Sequence, residues 1–90
     1  MIYFVAGLLT HAKLAADRLR IHPTGWKRLT RPVDLAGVDR ALVIFLSDTL
    51  DQAMTMADHE NLHEIARVVE EKRVHSRTFQ VVHLELDGIP

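Results

Sequence analysis

The sequence contains no cysteine and little that is aromatic: one tryptophan, one tyrosine and three phenylalanines in 90 residues. The lack of cysteine excludes disulfides, thiolate zinc sites and cysteine nucleophiles, and it agrees with a reducing compartment. Neither sign of charge predominates, because eleven Lys and Arg stand against twelve Asp and Glu, which gives a net charge of −1. We therefore do not expect a nucleic-acid partner, which would call for a basic protein.

Long hydrophobic runs are absent as well. The most apolar stretches, residues 2–6 and 41–46, are far shorter than the roughly 18 residues that a membrane span needs. No Lys or Arg precedes the first run and no A-x-A cleavage site follows it, so we expect neither a membrane anchor nor a secretory leader. The sequence also lacks phosphate-binding loops of the Walker or G-x-G-x-x-G type, so no motif of this kind assigns a function to it.

The sequence patterns predict strands and helices in alternation. Residues 2–6 and 40–47 are continuous apolar runs, typical of strands buried on both faces. Residues 26–30 predict a short edge strand, and residues 78–86 a half-exposed last strand. Helical spacing covers 10–20 and a single turn covers 31–37. A longer helical pattern runs from about Asp48 to Arg73, followed after the last strand by a tail at 87–90.

The long helical pattern favours two segments over one continuous helix, although a helix that continues through His59 and His63 is the open alternative. About 24 residues would span about 36 Å, much more than a six-residue strand. Asp58 and Asn61 also fall within the apolar arc of the pattern. We therefore predict a break near residues 58–61, with Thr49 and Gln52 forming a capping box at the start.

This order of elements predicts a single domain, residues 1–90, of the α/β class. Crossovers of this length favour parallel neighbours, and the expected architecture is a small Rossmann-like three-layer domain with a mostly parallel four-stranded sheet in the order 2-1-3-4. In such sheets, ligands lie beyond the carboxyl ends of the strands where the order reverses, here between strands one and three.

The switch-point rule selects residues 7–11 after strand one and residues 47–49 after strand three, flanked by residues 30 and 31 after strand two. Four of these are the candidate ligand-binding residues. Thr10 and His11 follow strand one, Asp48 follows strand three, and Arg31 follows strand two. Hydroxyl, imidazole and helix N-terminal amides can hold an anion, and Asp48 can hold a metal or a ribose hydroxyl. The structural alternative is that Thr10 and Asp48 are helix caps and His11 is simply exposed.

His59-Glu60-Asn61-Leu62-His63 matches the H-E-x-x-H motif of zinc peptidases. There, the two histidines bind the metal from one helix face and the glutamate activates water. On a helical wheel, however, His59 and His63 fall with Met56 and opposite the apolar arc, so the alternative is charged and polar decoration of a surface. An exposed Met56 beside these histidines would mark a partner surface, whereas Met54 is expected in the core.

Trp26 has two interpretations. With Lys27, Arg28 and Arg31 it could stack a base and hold phosphates. Alternatively, it covers the core beside a solvated basic pair, Lys27 and Arg28, on an edge strand.

The string Trp26…Leu29-Thr30-Arg31-Pro32-Val33-Asp34-Leu35-Ala36-Gly37 resembles a pattern in small uncharacterised α/β proteins of actinobacterial bacteriophages. The resemblance covers about the first half of the chain. It implies an accessory phage protein that acts in the host cytoplasm, and it carries no active site over.

A fold-level resemblance to nucleoside 2-deoxyribosyltransferases rests on Ile2-Tyr3-Phe4-Val5-Ala6-Gly7 and on Asp48 before an acidic helix. The chain lacks that family's proline after the first glycine and the Gly-Thr pair before its nucleophilic glutamate. The likeness implies a shared fold and not a shared reaction.

Three hypotheses follow. The first is a cytoplasmic protein-interaction module without a cofactor that binds a host or phage protein, with a homodimer as a further option. The second is a binding protein or enzyme for a nucleotide or phosphorylated small molecule that uses Thr10, His11, Arg31 and Asp48. The third is a zinc-dependent hydrolase that uses His59, Glu60 and His63.

Overall fold

The computed structural model describes residues 1–53 and 55–90; the core position predicted for Met54 lies outside them. The strands are β1 (Ile2–Val5), β2 (Trp26–Arg28), β3 (Ala41–Leu46) and β4 (Phe79–Leu84), and the α-helices are α1 (Leu9–Arg18) and α2 (Met56–His75). Three 3₁₀ helices cover Pro32–Leu35, Ser47–Gln52 and Leu86–Gly88.

The sheet is parallel throughout, in the order β2-β1-β3-β4. Tyr3 of β1 pairs with Lys27 on one side and with Val43 on the other, and Val43 pairs in turn with Val81. This is the predicted 2-1-3-4 order. It follows from the two most apolar runs, which form the adjacent central strands because both of their faces can be buried.

A helix covers each face of the sheet, which gives three layers. Ala12, Ala15 and Ala16 of α1 pack with Phe4 and Ile44. On the opposite face, Ile65 and Val69 of α2 pack with Val5, Val43 and Phe45. Consecutive residues Phe4 and Val5 therefore enter different core clusters, as the alternation of side chains along a strand requires.

The start of the long helical pattern is corrected by the structure. Residues Ser47–Gln52 form a 3₁₀ helix and α2 begins only at Met56, capped by Thr55, whose hydroxyl accepts the Asp58 N–H at 3.1 Å. The break thus precedes the predicted 58–61. The Thr49–Gln52 capping box is absent because the Thr49 side chain is directed to other partners, described below.

Both ends of α1 also differ from the prediction. Thr10 is not the N-cap, since the helix begins at Leu9 and the Leu8 N–H is accepted by His11 Nδ1 at 3.1 Å. At the other end, Arg20 adopts a left-handed φ of 57°. The Ile21 and Arg20 N–H groups then bond the carbonyl oxygens of Ala16 and Asp17 at 2.9 and 3.1 Å, the Schellman arrangement that ends a helix.

Residues 87–90, predicted as a tail, are part of the fold. Leu86–Gly88 is a 3₁₀ helix, and Leu86 and Ile89 are 7% and 8% exposed in the α1-side core cluster. The Arg18 guanidinium donates to the Leu86 carbonyl oxygen at 2.9 Å. The chain end thus helps α1 to cover the sheet.

Candidate functional site

The carboxyl ends of β1 and β3, where the topology predicts a ligand crevice, are joined directly. The Thr49 hydroxyl is buried; it accepts the Gly7 N–H at 3.2 Å and donates to the Leu46 carbonyl oxygen at 2.8 Å. A Cβ placed on Gly7 would lie 2.0 Å from the Thr49 carbonyl oxygen. The glycine is required by this close approach of two backbones, because any side chain at residue 7 would collide with the Thr49 carbonyl oxygen.

Asp48 and His11 both lie at this edge, where the switch-point rule places them, and His11 is near enough to influence the pKa of Asp48. The Asp48 carboxylate accepts the Leu86 N–H at 2.8 Å and the Asp87 N–H at 3.2 Å. These bonds, above all the one from Leu86, together with the nearby His11, hold the pKa of Asp48 below its usual value despite desolvation. Asp48 therefore caps the last 3₁₀ helix, while His11 caps α1 through Nδ1.

The other two predicted ligand residues, Thr10 and Arg31, are exposed. Thr10 is exposed in the first turn of α1. The Arg31 side chain is 69% exposed and lies 3.8 Å from Asp34. The Asp34 carboxylate accepts the N–H groups of Thr30 and Arg31 at 3.2 and 3.1 Å. The polar groups after β2 are therefore also hydrogen-bonded to other residues of the chain. Ligand binding by Thr10, His11, Arg31 and Asp48 stays a prediction.

Arg28 has a structural role that the sequence analysis missed. It was expected to be solvated with Lys27, but only Lys27 is exposed, whereas the Arg28 guanidinium donates to the carbonyl oxygens of Ala6 and Gly7 at 3.2 and 3.0 Å. Residues two apart on a strand share a face, and Trp26, which packs edge-on against Phe4 at 5.5 Å, already marks that face as the covered one. The alternation of side chains along β2 was therefore the signal in the sequence that could have placed Arg28 on the covered face.

A second depression, which we call the α2 cleft, lies between the carboxyl end of β3 and the first half of α2. Its volume is about 280 Å³, and it is lined by Phe45, Leu50, Asp51, His59, Leu62, His63 and Ala66. His83 of β4 stacks on Phe45 with ring centroids 4.9 Å apart. The cleft exists because α2 starts at Met56, which lets the preceding 3₁₀ helix place Leu50 and Asp51 opposite the helix.

The two histidines of the H-E-x-x-H motif line this cleft. His59 is half-buried and His63 is exposed, so the motif does not simply face open solvent as the helical wheel predicted, although Met56 is 75% exposed as expected. Within residues 1–53 and 55–90, no group of three or more His, Asp and Glu side chains is placed to hold a metal ion. The pair therefore lacks the third ligand that zinc requires.

The charge around the α2 cleft is acidic. Residues 41–66 hold five Asp and Glu and no Lys or Arg. Of these, Asp51, Asp58 and Glu60 are exposed, and in the described part of the chain none of them forms an ion pair. In the second half of α2 the acidic charge is compensated by arginines: Arg67 pairs with Glu64 and Glu71, and Arg73 pairs with Glu70.

Comparisons of this chain with models of protein families, with curated proteins and with solved structures find no match. The described helices include none that is both long enough and apolar enough to cross a membrane. Function must therefore be argued from the geometry.

Proposed function

We propose that this chain is a protein-interaction module that binds a basic, amphipathic segment of a partner protein in the α2 cleft. The observation that carries the proposal is the lining of the cleft: Phe45, Leu50, Leu62 and Ala66 are apolar, and Asp51 contributes a carboxylate that forms no ion pair in the described part of the chain. The polar groups at the switch point, in contrast, bond to the chain's own backbone.

The size and charge of the α2 cleft define the chemistry of the partner. The cleft of about 280 Å³ has room for one large apolar side chain. Asp51 in the cleft favours a neighbouring Lys or Arg, and the exposed Asp58 and Glu60 in the first half of α2 add acidic charge to the same segment. Complementary charge raises the association rate and selects the partner. An apolar anchor beside a basic residue is how amphipathic helices enter grooves.

The phage setting belongs to the same proposal. The resemblance implies an accessory protein that works in the host cytoplasm, and an interaction module with a host or phage protein as partner fits such a role.

Peptide titration followed by NMR tests this function. We expect a synthetic helical peptide with one leucine face and flanking lysines to shift the amide signals of Leu50, Asp51, Leu62 and Ala66, and the same peptide with glutamate for lysine to shift them much less. Signals that move elsewhere, or equally for both peptides, would contradict the proposal.

Two alanines of α2 provide a matched pair of variants. Both Ala66 and Ala57 are exposed, but only Ala66 lines the cleft. Ala66→Gln should fill the cleft and weaken peptide binding about tenfold, which corresponds to about 1.4 kcal/mol, whereas Ala57→Gln should leave binding unchanged.

A further inference from the structure

The two edges of the sheet differ in their protection against pairing with another strand. β2 has three residues and an exposed Lys27, and short length and lysine both discourage edge pairing. β4 has six residues in unbroken register with β3, without lysine, proline or glycine. We propose that β4 pairs with the β4 of a second copy of this chain, antiparallel about Val81.

The hydrogen bonds between β4 and β3 determine which backbone groups of β4 stay free. The Ala41 N–H donates to the Thr78 carbonyl oxygen at 3.0 Å, and Ala41 pairs with Phe79. This bond and this pairing set the alternation along β4. In a parallel ladder, the even-numbered residues of β4 then turn their N–H and C=O toward β3, and the odd-numbered residues turn theirs away. Among the described residues no strand lies beyond β4, so Val81 and His83 offer both groups to a new strand.

Neither face of the sheet blocks this edge. Gln80 and His83 are exposed, and Val82 is 39% exposed. Successive side chains of a strand point to opposite faces, so Gln80 and Val82 show that one face of β4 is open. On the other face, α2 covers Phe79 and part of Val81, and the strand is open at His83. A second strand can therefore approach in the plane of the sheet.

The residues that flank β4 favour a second copy over an unrelated strand. Arg77 and Glu85 lie four residues before and after Val81, and Phe79 and His83 lie two before and after it. Arg77 lies in the turn before β4 and Glu85 directly follows β4. In a two-fold antiparallel pair centred on Val81, Arg77 therefore lies at the same end of the paired strands as Glu85 of the partner subunit, and the backbone of Phe79 lies opposite His83 of the partner subunit. Arg77 and Glu85 are exposed, and in residues 1–53 and 55–90 neither forms an ion pair.

The two kinds of contact have different roles. Exposed ion pairs contribute little free energy, so the Arg–Glu pairs fix the register, while the exchanged backbone bonds and the Val81–Val81 contact supply the affinity. Phe79 does not contribute, because it is 2% exposed and buried in its own subunit's core. The two-fold axis is perpendicular to the sheet, so both α2 helices lie on one face of an eight-stranded sheet. The dimer does not depend on the function of the α2 cleft.

Sedimentation over a dilution series from millimolar to micromolar tests the dimer. We expect wild type to dimerise, Arg77→Glu and Glu85→Arg each to weaken the dimer roughly tenfold by placing like charges opposite each other, and the double variant to restore it. Both positions are exposed, so circular dichroism should show unchanged folding. A wild type that stays monomeric throughout the series, whatever other strand it can bind, overturns the proposal.

Cross-linking tests the register. In an antiparallel pair, directly opposed hydrogen-bonded residues have Cα atoms about 5.5 Å apart, within the range that a disulfide bridges. Because the chain has no cysteine of its own, Val81→Cys should form a covalent dimer on oxidation. Val82→Cys is the matched control, since residue 82 faces residue 80 of the other copy. Equal cross-linking of both variants, or a dimer that none of the charge changes affects, would place the interface elsewhere.

Discussion

At the scale of single residues, Thr49 connects the two central strands. Its hydroxyl is the only described side-chain group that bonds the Gly7 N–H, and Thr49 is 2% exposed. Thr49→Val keeps the shape but leaves that N–H buried without a partner, which costs about 1–3 kcal/mol. We expect chemical denaturation to show this loss.

Thr49→Ser is the control for the Thr49 prediction. It keeps the hydroxyl and removes one buried methyl group, a change of about 1 kcal/mol. If the serine variant were as unstable as the valine variant, packing of the methyl group rather than the two hydrogen bonds would explain the role of Thr49.

Contacts of this kind set the limit of prediction from sequence at the residue scale. Strand order places Thr49 and Gly7 at the same edge of the sheet, as it does Asp48 and His11, but Thr49 is also a good helix cap by residue type. Nothing in the sequence indicates that its hydroxyl accepts the Gly7 N–H, 42 positions away. Arg20 is a similar case, because a left-handed helix end is usually indicated by glycine.

At the scale of elements, Asp48 holds the last 3₁₀ helix against the one that follows β3. Its pKa is lowered, chiefly by the bond from the Leu86 N–H, which counteracts desolvation, and further by Asp87 and His11. A carboxyl group with a lowered folded-state pKa stabilises the fold above its unfolded pKa of about 4, and this contribution is lost as pH falls through the folded pKa. Asp48→Asn should therefore be less stable than wild type at neutral pH, and the difference should shrink in acid.

Thermal melting between neutral pH and pH 2 measures this effect. Asp51→Asn is the matched control, because Asp51 is exposed and accepts no hydrogen bond from a described side chain or backbone group. A difference between wild type and Asp48→Asn that stays constant with pH would show that the charge of Asp48 does not matter for the bonds to residues 86 and 87.

The elements that the sequence predicted well are those with a strong periodic or continuous apolar pattern. β1 and β3 are evident because both faces are buried, and the parallel order follows from the length of the crossovers. The start of α2 was misplaced because Ser47–Gln52 carries the residue types of a helix N-terminus and differs only in adopting 3₁₀ geometry. The α2 cleft depends on that start, so it could not be predicted.

At the scale of the whole molecule, the two core clusters should unfold together, because β1 and β3 contribute alternate residues to both. Ile44 lies in the α1-side cluster and Ile65 in the α2-side cluster, and they are 4% and 0% exposed. Replacing either isoleucine by valine should cost about 0.5–1.5 kcal/mol. Trp26, the single tryptophan, packs against the α1-side cluster and reports on that layer.

The decisive measurement is therefore Ile65→Val followed by Trp26 fluorescence. If the sheet couples both layers, the fluorescence midpoint in denaturant shifts by the same amount as the far-ultraviolet circular dichroism, although Ile65 lies across the sheet from the tryptophan. Ile44→Val should shift both signals similarly, and the double variant should lose the sum, since the two sites share no packing cluster. Separate transitions in Ile65→Val, with the fluorescence curve unmoved, would mean that α2 and its cluster unfold independently of the rest.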